Sequence, residues 1–264
     1  MFSSATKRIM YPLQAISLIA MAIHMIYLFD DTSFIKVYSK EVPVLINSLI
    51  LFVMSLRIPK ESIKDKKIIY FSILTFIFYG IGDYVLVYPI AFGSAIKFVI
   101  GALFFLVGHY MYFYVNYKIS EIHYGGFTAV FERFPDRKKR AKIFGLISGF
   151  FVALMIVVPN DAGRALSAFG SIYLTILAVT VYYGYASRED MNRCRLTIFG
   201  AACFQISDTV LSTNDFMFTL PWFRHFYMAT YWMATSFYFV ALASYFEDLI
   251  QNRIKPVDKE KKEK

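Results

Sequence analysis

Two short stretches each set an acid among side chains that otherwise suit lipid: FYGIGDYVLV at 78–87 carries Asp83, and FQISDTVLS at 204–212 carries Asp208. Superposed, Ile81-Gly82-Asp83-Tyr84-Val85-Leu86 lies over Ile206-Ser207-Asp208-Thr209-Val210-Leu211, sharing isoleucine, a small residue, aspartate, any residue, valine and leucine. A carboxylate in hydrocarbon costs at least about 2.5–3.5 kcal/mol, so each must face the protein interior and be protonated or paired. Two carboxyls in one water-poor pocket do not both ionise easily, which leaves a neutral acid beside an anion. Such a pair can perform acid–base chemistry with no cofactor.

Helical spacing gathers further polar groups around these acids. Ser72, Phe76, Tyr79 and Asp83 share one helix face, as do Ala201, Gln205, Asp208 and Ser212. His109, Tyr112 and Asn116 line a third face, where His109 can orient the acids or relay a proton. Tyr227, Tyr231, Thr235 and Tyr238 form a hydroxyl stripe, with Tyr231 deep enough to donate a hydrogen bond to a substrate. Arg224 and His225 stand at the outer mouth of that segment, where a phosphate headgroup can be held or the side chains can snorkel. Asn47 is a candidate for a hydrogen bond between helices, and Gln14 and His24 read as structural. A zinc-activated water on Asp83, Asp208 and His109 with His225 is an alternative, though no close HxxxH or HxxE spacing supports it, and no metal is assigned. Cys194 and Cys203 are too few for a disulfide scaffold or a four-cysteine metal site.

The elements that must position these residues are transmembrane helices. The chain is 58% hydrophobic and only 18% charged, its charges are clustered, and its mean hydropathy is positive. Soluble domains carry about a quarter charged residues, so the composition points to an all-α polytopic membrane protein. Eight spans are expected, at about 11–29, 42–56, 68–88, 93–116, 143–159, 165–186, 196–213 and 226–249. With the N-terminus inside, only Lys36, Lys40, Lys97, Arg164 and Arg224 of the 28 Lys and Arg residues fall outside, the asymmetry expected of cytosolic loops. Both termini are then cytosolic. The net charge of +9 is explained by topology, and neither an RNA-binding signature nor a GxxxxGK loop suggests nucleic acid. One transmembrane domain over 1–250 is expected, with a basic cytosolic loop at 117–142 near anionic membrane lipid and a basic tail at 251–264. The repeated aspartate motif suggests parallel halves, 11–116 and 143–249, an arrangement that transporters also use. A lipid or proton-coupled transporter is therefore the non-enzymatic alternative. Lys261 and Lys262 have the placement of a dilysine endoplasmic-reticulum retrieval signal.

Four blocks resemble the YhhN-like membrane proteins, the lysoplasmalogenase family that includes the TMEM86 group: GIGDYVL, GALFFLVGHYMY, GAACFQISDTVLS and MATYWMATSFYFVALA. In SKEVPVL, Lys40 and Pro43 resemble the family's Lys-x-x-Pro pattern opening the second helix. The resemblance implies hydrolysis of the vinyl ether of lysoplasmenyl-ethanolamine or -choline to a fatty aldehyde and the glycerophospho alcohol. It implies Asp83, His109, Ser207, Asp208 and Tyr231 as site residues and a lysophospholipid substrate. No cofactor is expected. A metal-dependent lipid hydrolase stays open beside it. Trp232 after Tyr231, and Tyr84 and Thr209 beside the aspartates, depart from the family pattern and bear on substrate preference.

Overall fold

A computed structural model describes residues 2–28, 34–87, 94–157, 191–216 and 221–254. Every regular element among them is helical: α1 (Ser4–Ile26), α2 (Phe34–Ser55), a 3-10 turn (Lys60–Ser62), α3 (Lys66–Val87), α4 (Ser94–Tyr124), α5 (Phe127–Arg133), α6 (Pro135–Val157), α7 (Met191–Phe216) and α8 (Pro221–Ile250). The span expected at 165–186 and the lysines at 261 and 262 lie outside the described residues.

Three of these helices are long and apolar enough to cross a membrane: Ser4–Ile26, Lys66–Val87 and Ile96–Tyr124. The radial pattern agrees. Ile16, Leu18 and Ile19 on α1, Leu45, Leu49 and Phe52 on α2, and Leu103 and Val107 on α4 point outward. Lys40, Asn47, Asp83, His109 and Asn116 are buried inside. An apolar outward surface around a core that also holds these polar groups suits a lipid solvent.

Side-chain pairings fix the directions of the helices. Gln14 on α1 donates to Asn47 on α2 at 3.0 Å, and His24 meets the Lys36 carbonyl at 2.9 Å, so α1 and α2 are antiparallel. Ser48 on α2 donates to the Ile73 carbonyl of α3 at 3.0 Å, while Lys40 reaches Asp83, which makes α2 and α3 antiparallel. Tyr79 stacks on Phe105 and Phe71 meets Tyr114, so α4 runs back along α3. Ser207 with Tyr227, and Phe204 with Tyr231, set α7 antiparallel to α8. Finally, Tyr112 stacks on Tyr238 and His123 meets Tyr245 at 3.0 Å, which aligns α4 with α8. Helices α1, α3 and α7 therefore run one way, and α2, α4 and α8 the other, so both aspartate motifs point toward the same end of the bundle.

Two expectations change. The helix that carries the second expected span, 42–56, begins earlier, at Phe34, so Lys40 and Glu41 are helical residues ahead of the apolar run. The connection at 117–142 is not an open loop. Helix α4 continues to Tyr124, Gly125 and Gly126 turn the chain at φ of 78° and 93°, and α5 and the start of α6 follow. Left-handed backbone at two successive positions favours glycine, which lacks the Cβ penalty.

The end opposite the aspartates is tied by polar contacts. Glu247 accepts from the Ser3 backbone at 2.8 Å and from the Thr6 hydroxyl at 2.6 Å, and Asp248 pairs with Arg193. These bonds join α1, α7 and α8 where charges meet the expected membrane boundary.

Candidate active site

Asp83 is fully buried in the last turns of α3, and two other helices supply its partners. Lys40 of α2 places its ammonium 2.9 Å from Oδ1, and Tyr231 of α8 donates its phenol to Oδ2 at 2.5 Å. The ammonium also lies 5.9 Å from the centre of the Tyr231 ring. A buried carboxylate left alone would be prohibitive; a cation on one oxygen and a donor on the other is how an interior tolerates it. Glu41, next to Lys40, lies within electrostatic range of both Asp83 and Lys40.

Aromatic packing ties α3 and α8 to α4 and α7. Phe105 of α4 and Phe204 of α7 both meet the Tyr231 ring edge to face, at 5.9 and 5.6 Å. Tyr79, one turn before Asp83, stacks on Phe105 at 5.7 Å and touches Phe204 at 5.2 Å. Its hydroxyl shares a 2.9 Å hydrogen bond with His109 Nδ1. Gly82 makes the crossing of α3 and α4 possible, because a Cβ there would stand 2.8 Å from the Phe105 ring and 3.1 Å from the Gly101 carbonyl.

The sequence-derived residues fall into three groups. Lys40, Asp83 and Tyr231 touch one another. His109 and Asp208 border the same aromatic cluster: His109 binds Tyr79, and Asp208, partly exposed, acts electrostatically on Tyr79 and Tyr238. The remaining four lie elsewhere on these helices. Asn47 accepts from Gln14, and Ser207 donates to the Tyr227 carbonyl at 2.9 Å. Arg224 and His225 sit partly exposed near the start of α8. Ser72, Phe76 and Tyr79 are buried with Asp83, as their spacing requires. No group of three or more His, Cys, Asp or Glu side chains converges as a metal site among the described residues.

Sequence reasoning missed two features. Lys40 entered only through a family pattern, and its ion pair with Asp83 was not foreseen. Glu41 was not singled out, although an acid beside a lysine ahead of a long apolar run was the available signal.

Helices with apolar exteriors around a buried ion pair and phenol fit an all-α membrane protein. Residues 40–241 match the YhhN family, and the chain belongs to that family. The matched stretch opens on Lys40 and contains Asp83, His109, Asp208 and Tyr231. No curated protein and no solved structure matches the chain.

Proposed function

We propose that this protein is a lysoplasmalogenase, an ether hydrolase that converts lysoplasmenyl-ethanolamine or -choline to a fatty aldehyde and a glycerophospho alcohol. Membership of the YhhN family is consistent with hydrolysis. The observation that carries the reading is the fully buried Asp83 held between Lys40 and Tyr231. Vinyl ethers break when a proton adds to carbon and leaves an oxocarbenium ion, which water then captures. Catalysis requires an acid, an anion facing the developing positive charge, and a site that excludes bulk water. Asp83 is the anion. Lys40 and Tyr231 fix its position and share its charge, so little reorganisation accompanies the reaction. Asp208 is the second acid of the chamber named from the sequence, and it acts through the Tyr79–His109 side of the aromatic cluster.

The accompanying topology has eight spans with both termini cytosolic, in the endoplasmic-reticulum membrane. Arg224 and His225 then hold the substrate phosphate at the mouth, and the alkenyl chain enters from surrounding lipid.

Purified protein presented with ethanolamine and choline lysoplasmalogens should release fatty aldehyde, and saturated-ether and acyl lysolipids should give none. Lack of aldehyde, accompanied by lipid or proton flux across sealed vesicles, would replace the hydrolase with a transporter. Cleavage of acyl lysolipid at an equal rate would remove the vinyl ether assignment.

A further inference from the structure

We infer that Glu41 is the proton donor of the site. The inference rests on the proposed vinyl ether hydrolysis and assigns the group that begins it. Glu41 follows Lys40 on α2, so both belong to the turn that delivers the ammonium to Asp83. The Glu41 side chain is half-buried, and its Oε1 is sealed from solvent with no hydrogen-bond partner among the described residues. A buried carboxylate oxygen without a donor is costly, whereas a carboxylic acid in the same place costs little and carries a transferable proton. The charge count agrees. Among the described residues the Lys40 ammonium pairs with Asp83, which has both the ion pair and the phenol donor. A second ionised carboxyl within range of Asp83 would leave a net negative charge at a depth that penalises it.

The chemistry closes without a cofactor. The C=C π electrons take the Glu41 proton, forming a C–H bond at the alkenyl carbon β to oxygen and leaving Glu41 as carboxylate. Positive charge spreads over the α-carbon and the ether oxygen, opposite Asp83. Water adds to the α-carbon and returns a proton to Glu41. The hemiacetal then breaks its bond from carbon to the glycerol oxygen, that oxygen takes the hydroxyl proton, and one water has been consumed. The field of Asp208 falls on Tyr79 and Tyr238. That makes it a positioning group in this assignment.

The test is full-length protein in detergent with lysoplasmenyl-ethanolamine in D2O, the aldehyde being reduced as it forms so that its label is retained. Wild type should place one deuterium on a single face of the carbon next to the carbonyl. Glu41→Gln should lower kcat by about 10²–10⁴, the usual worth of a positioned acid. It should leave KM within a few fold, and its residual product should lose facial selectivity. Glu41→Asp keeps an acid and should retain part of the rate with selectivity intact, which separates a proton donor from a folding role. Asp208→Asn should keep facial selectivity. If Glu41→Gln turns over within twofold of wild type, or keeps facial selectivity, Glu41 is not the donor, and the hydrolase reading survives on the wild-type rate. If wild type releases no aldehyde, both are overturned.

Discussion

The segments around Asp83 and Asp208 begin alike and end differently. Ile81 and Ile206 both face outward, at 37% and 45% exposure, and Gly82 and Ser207 both face in. Each segment lies on a helix that packs against an antiparallel successor, α3 against α4 and α7 against α8. The shared motif thus fixes the phase of the helix and the depth of its acid. It does not fix what the acid meets. Asp83 is wholly buried with a cation and a phenol, whereas Asp208 is partly exposed and acts on two tyrosines. What Asp83 meets is set by α2 and α8, which supply the cation and the phenol.

The largest expected effect comes from breaking that asymmetry at Asp83. Asp83→Asn should abolish detectable turnover, whereas Asp208→Asn should cost about tenfold or less if the aspartates differ as their partners do. Equal losses would mean that the two work as one dyad, which initial rates on ethanolamine lysoplasmalogen decide. Stability should respond at Asp83 too. Asp83→Ala strands the buried Lys40 ammonium, a change worth about 3–5 kcal/mol, and denaturant unfolding in micelles should show it. Adding Lys40→Met to Asp83→Ala should restore much of that loss, because the cycle removes the orphan charge.

Tyr231→Phe probes the same contrast with less force. It deletes the 2.5 Å donor to Asp83 and leaves the ring between Phe105 and Phe204. A hydrogen bond to a charged group contributes about 1.5–3 kcal/mol to stability, so unfolding should register a loss of that order, and kcat should fall about 10- to 100-fold. A fall in stability with unchanged kcat would place the phenol in the scaffold and not in the chemistry.

How far the sequence reaches is visible in these residues. Asp83, Asp208, His109 and Tyr231 were legible because a polar group in an apolar run has few uses, and helical spacing says which neighbours share its face. Those periodicities act within a helix. The pairing of Lys40 with Asp83 depends on how α2 crosses α3, which no spacing along either helix encodes. The start of α2 was hidden for a related reason: Ser39 and Lys40 are buried against neighbouring helices, so local hydropathy misreads the stretch ahead of the apolar run. Residues 117–142 misled in the opposite sense, since a polar helix and a polar loop have the same composition.

The small residue preceding each aspartate gives the next comparison. Gly82→Ala would press a methyl into the Phe105 ring at 2.8 Å and toward the Gly101 carbonyl at 3.1 Å. The ring or the helix crossing must shift, an overpacking cost of about 1–3 kcal/mol in unfolding. Phe105 also packs on Tyr231, so turnover should fall in step with stability. An unaffected rate in a destabilised Gly82→Ala protein would show that the donor to Asp83 does not rely on the crossing of α3 and α4.

Ser207→Ala is expected to do least. The hydroxyl donates to the Tyr227 carbonyl at 2.9 Å, but the Thr230 hydroxyl donates to the same oxygen at 3.0 Å. Deleting one donor therefore leaves the acceptor satisfied, and the cost should fall at the low end of a neutral hydrogen bond, about 0.5 kcal/mol. Turnover should stay within twofold, since the bond joins α7 to α8 without touching Lys40, Asp83 or Tyr231. A large loss of activity at unchanged stability would instead mean that Ser207 leaves Tyr227 to meet the substrate. The Asp208 segment would then be a second chemical wall, and the contrast with Asp83 would narrow to one of partners alone.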